Sequence, residues 1–273
     1  MAKDRSDLRI GIGGFGAIGQ AVARRLDDGM FGLRLVAVSA RDVARARDRM
    51  AGFKNAAPVV PLRELAAVAD VVVECAPAAV FRDVAEPAIE AGRIFMPLSV
   101  GALLQHAELI ERAKGTGARI LAPTGALLGL DAVRAAAEGE IQSVTMVTRK
   151  PPAGLAGAPY LVEHGISLDN LKAPLKVFDG TARDGAKGFP ANVNVAAALS
   201  LAGIGPDRTR LEIWADPALK RNTHRIVVEA DSCRFEMAIE GVPSVENPRT
   251  GKLTPLSVIA ALRGLTSPLK VGT

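Results

Sequence analysis

A chain of 273 residues can support two cores, and its 49% hydrophobic and 23% charged content excludes a disordered protein. The formal charge of +5 comes from arginines interleaved with acids, as in Arg41–Arg49 and Glu108–Arg112. No basic stripe or aromatic platform appears, so nucleic acid is not an expected partner, and the mild positive field suits a small anionic substrate.

No apolar run reaches the ~18 residues of a membrane span. The charged start Met1-Ala2-Lys3-Asp4-Arg5 lacks a following apolar segment, so no signal peptide is expected. Cys75 and Cys233 stand far apart and match no metal or redox motif. Cys75 ends a valine run and reads as core. These features predict a reduced, cytoplasmic setting without membrane attachment or a metal site.

The first hundred residues alternate short apolar runs with amphipathic stretches. Leu8–Ile12 reads as a strand, and Ala17–Leu26 as a helix that stops at Asp27-Asp28-Gly29. Leu33–Ser39 is a second strand, followed by a charged helix over Val43–Met50. A short strand is expected at Val59, a short helix over Leu62–Ala67 and a buried strand over Ala69–Cys75. Then come a helix (Val80–Ala91), a strand (Ile94–Leu98), a helix (Gln105–Gly115) and a strand (Arg119–Ala122). Strands apolar on both faces and separated by helices predict a parallel, doubly wound sheet.

After Gly125 the pattern changes. Strands are expected over Ile141–Thr148, Leu175–Asp179, Arg208–Ala215, His224–Ala230 and Arg234–Ile239, the last two forming a hairpin around Asp231-Ser232. A helix over Val193–Leu201 lies among them, and Lys150–Pro159 reads as a proline- and glycine-rich flap. A final helix, Pro255–Leu265, is placed back on the first domain. The expected fold is thus α/β: an N-terminal Rossmann domain (1–125), a second α+β domain on a mixed sheet (126–252) and a C-terminal helical segment (253–273).

Two glycine patterns overlap, Gly11-x-Gly13-x-x-Gly16 and Gly14-x-Gly16-x-x-Gly19. The second fits better, because strand fills the chain to Gly13 and helix begins near Ala17. Gly14 then permits the tight turn, Gly16 lets backbone approach a pyrophosphate, and Gly19 lets helix and strand pack closely. Ala17 and Ile18 bring helix N–H groups to the phosphates. An acid about 20 residues on would hold the ribose hydroxyls of NAD. Ser39-Ala40-Arg41 stands there instead, a set that suits the 2′-phosphate of NADP as well as a solvated helix start. NADP or NAD is the predicted cofactor.

Three histidines are available for proton management. His106 lies among Glu108, Glu111 and Arg112 and reads as a solvated surface residue; His164 reads as a loop position near the flap. Period two places His224 on one face with Ile226 and Val228, which suits a satisfied core histidine as well as a catalytic one.

Further motifs separate these readings. Phe189-Pro190-Ala191-Asn192-Val193-Asn194 through Gly203-Ile204-Gly205-Pro206-Asp207, Ala215-Asp216-Pro217, Asn222-Thr223-His224 and Pro243–Thr250 resemble the L-aspartate dehydrogenase family, in the same order over nearly the whole chain. The resemblance implies that His224 is catalytic, that Asn194 contacts the cofactor and that Gly125-Ala126 supplies backbone near the nicotinamide. It implies oxidative deamination of a dicarboxylate amino acid, L-aspartate, through iminoaspartate to oxaloacetate and ammonia, with His224 as general base. Two substrate carboxylates need cationic or amide donors; Lys150 and Asn192 are named for that role, with Arg221 and Arg225 as further candidates.

Departures from the family pattern are Thr124 for serine, Gly251 for a small hydroxyl residue, Asp184-Gly185 for a Glu-Ala pair, and Cys233-Arg234 near a usual glycine. A two-domain reductase of the dihydrodipicolinate or homoserine dehydrogenase type, and a non-catalytic dinucleotide sensor, are the alternatives; neither predicts the Asn-Val-Asn and Asn-Thr-His runs. The second sheet offers a face or edge for a homodimer.

Overall fold

The computed structural model describes residues 7–190, 193–244, 246 and 250–272. It divides into two compact units, one running to Pro123 and including Thr254–Lys270, the other Thr124–Leu253 with the last residues of the chain.

The first unit contains β1 (Leu8–Gly13), α1 (Ala17–Asp28), β2 (Leu33–Ser39), α2 (Val43–Met50), α3 (Leu65–Val68), β3 (Val71–Glu74), α4 (Phe81–Glu90), β4 (Ile94–Pro97), α5 (Val100–Gln105), α6 (Glu108–Thr116) and β5 (Arg119–Ile120). The strands are all parallel, in the order β2-β1-β3-β4-β5. Strand order reverses between β1 and β3, the switch point where open α/β sheets take their ligands. Beyond β2, the strand expected at Val59 is reduced to a single parallel bridge with Val38.

Both faces of this sheet are covered, as the continuous apolar runs require. Ile10, Ile12, Val71, Val73 and Met96 pack with Val22 and Leu26 of α1 on one side. Ala37, Val72 and Phe95 pack with Leu65, Phe81 and Val84 on the other. The helix expected over Gln105–Gly115 is α6, Glu108–Thr116, and a further short helix that was not expected, α5, precedes it and ends at Gln105. Val100–Leu104 is buried throughout, so it carries no amphipathic stripe to reveal it.

The second unit contains α7 (Leu130–Ala136), β6 (Ile141–Lys150), α8 (Pro159–Glu163), β7 (Leu175–Thr181), α9 (Ala182–Gly188), α10 (Asn194–Ala202), β8 (Thr209–Ala215), β9 (Asn222–Ala230) and β10 (Arg234–Gly241). Its sheet is mixed, in the order β10-β9-β6-β8-β7, with β6 and β8 parallel and the other pairs antiparallel. Lys150, expected to open the flap, is the last residue of β6, and the flap begins with a tight turn over Pro152–Gly154.

Register puts Val144 and Met146 beside Leu211, Ile226 and Val228 on one buried face. On the opposite face Thr145, Val147, Arg149, Trp214, Thr223 and Val227 are half-buried. Gly185 packs closely on β8: a Cβ there would stand 2.5 Å from Leu211 Cδ2.

The last helix, α11 (Leu253–Thr266), belongs mainly to the first unit. Its buried Val258 and Leu262 join Ile10, Val22, Leu26, Met30 and Leu33. The Thr266 hydroxyl donates to the Phe31 carbonyl at 2.8 Å.

Candidate active site

The glycine turn follows β1 and opens α1 in the second of the two registers. Gly14 has φ +102°, and a Cβ on it would meet the Cys75 carbonyl oxygen at 2.5 Å. Gly19 is just as constrained, since its Cβ would stand 2.1 Å from the Gly14 carbonyl oxygen. Gly16 differs: nothing lies within 4 Å of its Cβ position. The first two glycines are therefore demanded by the protein's own packing, and the third leaves open space beside the helix N-terminus.

That terminus has no side-chain cap and no acid in its first turn, so its N–H groups are not spent on a carboxylate. Ala17 and Ile18 begin the helix there. Cys75 Sγ donates to the Gly14 carbonyl at 3.1 Å, and Arg49 and Gln20 both donate to the Phe15 carbonyl. Burial pushes the Cys75 thiol up, so it stays protonated and serves as a core donor. These features fit a dinucleotide pyrophosphate.

At the end of β2, Ser39 is buried and Arg41 is exposed. The next acid along the chain, Asp42, caps α2 by accepting the Arg45 N–H at 2.9 Å. It is engaged in the fold.

In the second unit His224 is 5% exposed. Thr148 lies directly across the β6–β9 ladder, and its hydroxyl is 3.1 Å from His224 Nδ1. Lys150, two residues along β6, occupies the same face and is also buried. Burial, and then the neighbouring Lys150 charge, push His224 down to about 3, so the imidazole is neutral. Burial alone lowers Lys150 to about 8. The Lys150 carbonyl accepts the Asp216 N–H at 2.8 Å, and the Asp216 carboxylate stands 3.5 Å from Arg149.

Sequence reasoning named His224 and Lys150 but missed Thr148, their neighbour. Its signal was strand register, which becomes legible only once β6 and β9 are paired.

Asn194 opens α10 and is half-buried. Gly125 is left-handed at φ +65°, and Ala126 beside it is half-buried. Asn192 lies outside the described residues. His164 is exposed, with Nδ1 2.9 Å from the Tyr160 carbonyl. His106 is more sheltered than a solvated position, stacked on Phe81 with ring centroids 6.0 Å apart. Among the described residues no group of three histidines, cysteines or acids could hold a metal, and no helix is long and apolar enough to cross a membrane.

Comparison with known proteins joins these parts. Residues 14–123 match the family described as "Homoserine dehydrogenase, NAD binding domain". Residues 131–265 match "Aspartate dehydrogenase, C-terminal". The chain is 54% identical over 268 residues to an L-aspartate dehydrogenase of Bradyrhizobium diazoefficiens, covering 98% of this chain and 95% of the relative. It is 45% identical over 270 residues to one of Methanocella arvoryzae, covering 97% and 100%.

Among solved structures, aspartate dehydrogenase from Thermotoga maritima aligns with TM-score 0.72 at 24% identity, over 97% of this chain and 99% of that one. A homoserine dehydrogenase from Thiobacillus denitrificans aligns with TM-score 0.62 at 13% identity, over 96% and 75%, and shares the fold. With such identity over nearly its full length, the chain belongs to the L-aspartate dehydrogenase family of NAD-binding oxidoreductases.

Proposed function

We propose that this chain catalyses NAD(P)-dependent oxidative deamination of L-aspartate to iminoaspartate, which water converts to oxaloacetate and ammonia, with His224 as general base. The observation that carries the reading is a buried, neutral His224 held at Nδ1 by Thr148 and flanked by Lys150. With Nδ1–H donated to the Thr148 hydroxyl, Nε2 keeps its lone pair for a proton from the substrate amine or from attacking water.

Lys150 holds a substrate carboxylate. That contact also offsets the positive charge that disfavours imidazolium, and so makes His224 a better base when substrate is present. A bound nicotinamide supplies the acceptor for the hydride from the substrate Cα. Gly14, Gly16, Gly19 and the first turn of α1 receive the pyrophosphate. Asn194 and the Gly125-Ala126 backbone serve the cofactor, and Asn192 the substrate.

Ser39 and Arg41 favour NADP alongside NAD, because Asp42 is committed to capping α2. The proposed setting is the cytoplasm, and the proposed assembly a homodimer through the half-buried face of the second sheet; sedimentation equilibrium reads the stoichiometry directly.

The deciding experiment gives purified protein NAD or NADP with a panel of amino acids, homoserine included, at alkaline pH. Reduction with L-aspartate, and the reverse reaction from oxaloacetate plus ammonia, are the expected results; absence of both overturns the assignment. A strong KM preference for NAD overturns the NADP reading alone.

A further inference from the structure

Glu74 is fully buried at the end of β3, and no step of the proposed reaction uses it. Both its oxygens are occupied twice. Oε1 accepts the Ala76 N–H and the Ser99 hydroxyl, each at 3.0 Å. Oε2 accepts the Leu98 N–H at 3.2 Å and the Ser99 N–H at 3.0 Å. One side chain thereby ties the segment leaving β3 to the segment leaving β4.

Both segments leave the C-terminal edge of the parallel sheet, the first at its switch point. The β3 segment also braces the glycine turn. Cys75 donates its thiol to the Gly14 carbonyl, and the Cys75 carbonyl lies where any Gly14 side chain would have to go. Burying a carboxylate is costly unless its hydrogen bonds are filled. Here they are filled by backbone N–H groups and one hydroxyl of the two segments that leave the C-terminal edge of the sheet.

We propose that Glu74 is a positioning residue for the dinucleotide: through Ala76 and Ser99 it fixes the two strand-end segments against the glycine turn and so sets the cleft for the nicotinamide half. The inference rests on dinucleotide binding at that turn. It requires the ionised carboxylate, because an amide offers acceptor capacity on one side and sets its own N–H groups against two donors on the other. Burial raises Glu74 to about 6, so the carboxylate is lost just below neutral pH. The ionisable group beside it is the Cys75 thiol, which burial and the Glu74 charge keep protonated.

The test is fluorescence titration of NADH and NADPH into wild type, Glu74→Gln and Ser99→Ala across pH 5.5–8. At pH 7.5 Glu74→Gln is expected to bind on the order of tenfold more weakly and Ser99→Ala by a smaller factor. The KM for dinucleotide rises while the KM for the amino acid holds. Wild type loses affinity as pH falls through about 6, and Glu74→Gln does not.

Wild-type affinity in both variants overturns the proposal. So does a Glu74→Gln variant that binds weakly yet keeps the wild-type pH dependence, for then its defect is general damage. If Glu74→Gln does not fold, Ser99→Ala decides by affinity alone: weakened dinucleotide binding with an unchanged amino-acid KM supports the proposal, and wild-type affinity overturns it. Failure of wild type to bind either dinucleotide sinks the underlying reading instead, and is told apart by the first titration.

Discussion

Thr148, Lys150 and His224 form a polar end to a face that is otherwise apolar, and the first two both act on the imidazole. His224→Ala is expected to lower kcat by about 10²–10⁴-fold while dinucleotide affinity is retained, as stopped assays and titration would read. Lys150→Met removes the charge that disfavours imidazolium, so the His224 pKa should rise from about 3, measurable by NMR of the ring protons. A fall or no change would contradict the coupling.

Lys150 also leaves a mark on stability. Its folded value of about 8 lies below the ordinary 10.5, so the folded protein loses this proton first. Stability contributed by this site is therefore lowest below pH 8 and rises as pH climbs from 8 to 10.5. The full span is worth about 3 kcal/mol. Denaturant titration of wild type against Lys150→Met over that range should show the rise in wild type alone.

At the scale of elements, the glycine turn separates two roles that a motif merges. Gly19→Ala drives a Cβ into the Gly14 carbonyl and should cost about 1–3 kcal/mol, a Tm drop of roughly 2–10 °C. Gly16→Ala meets nothing in the protein, so its Tm should hold while dinucleotide affinity falls. Equal Tm losses in the two variants would refute the division.

The same turn shows what a sequence can convey. Strand, glycines and helix are adjacent in the chain, so their arrangement was legible, as were the parallel sheet and the β9–β10 hairpin. The short helices α7, α8 and α9 were not anticipated, since five to seven residues carry too little periodicity. Glu74 was passed over for a different reason. Its four donors come from residues 76, 98 and 99, and a lone acid after three valines does not announce them.

For the molecule as a whole, the path of the chain matters more than any single contact. It completes the first unit's sheet by Ile120, builds the second unit, then returns as α11 to cover Ile10, Leu26 and Leu33. A fragment ending at Pro123 is expected to expose that surface, bind hydrophobic dyes and melt without a cooperative transition. Adding a peptide of residues 253–270 in trans should restore a sharp transition, and a fragment that is cooperative alone would contradict the reading.

The return of α11 also sets an order of events at the ribosome. Domains usually settle N-terminal first as the chain emerges. Here the unit translated first is sealed last, by Val258 and Leu262, after everything between has been made. Nascent protein thus carries an unfinished dinucleotide unit through most of its synthesis, and a premature stop anywhere before α11 leaves an apolar surface for chaperones and proteases to find.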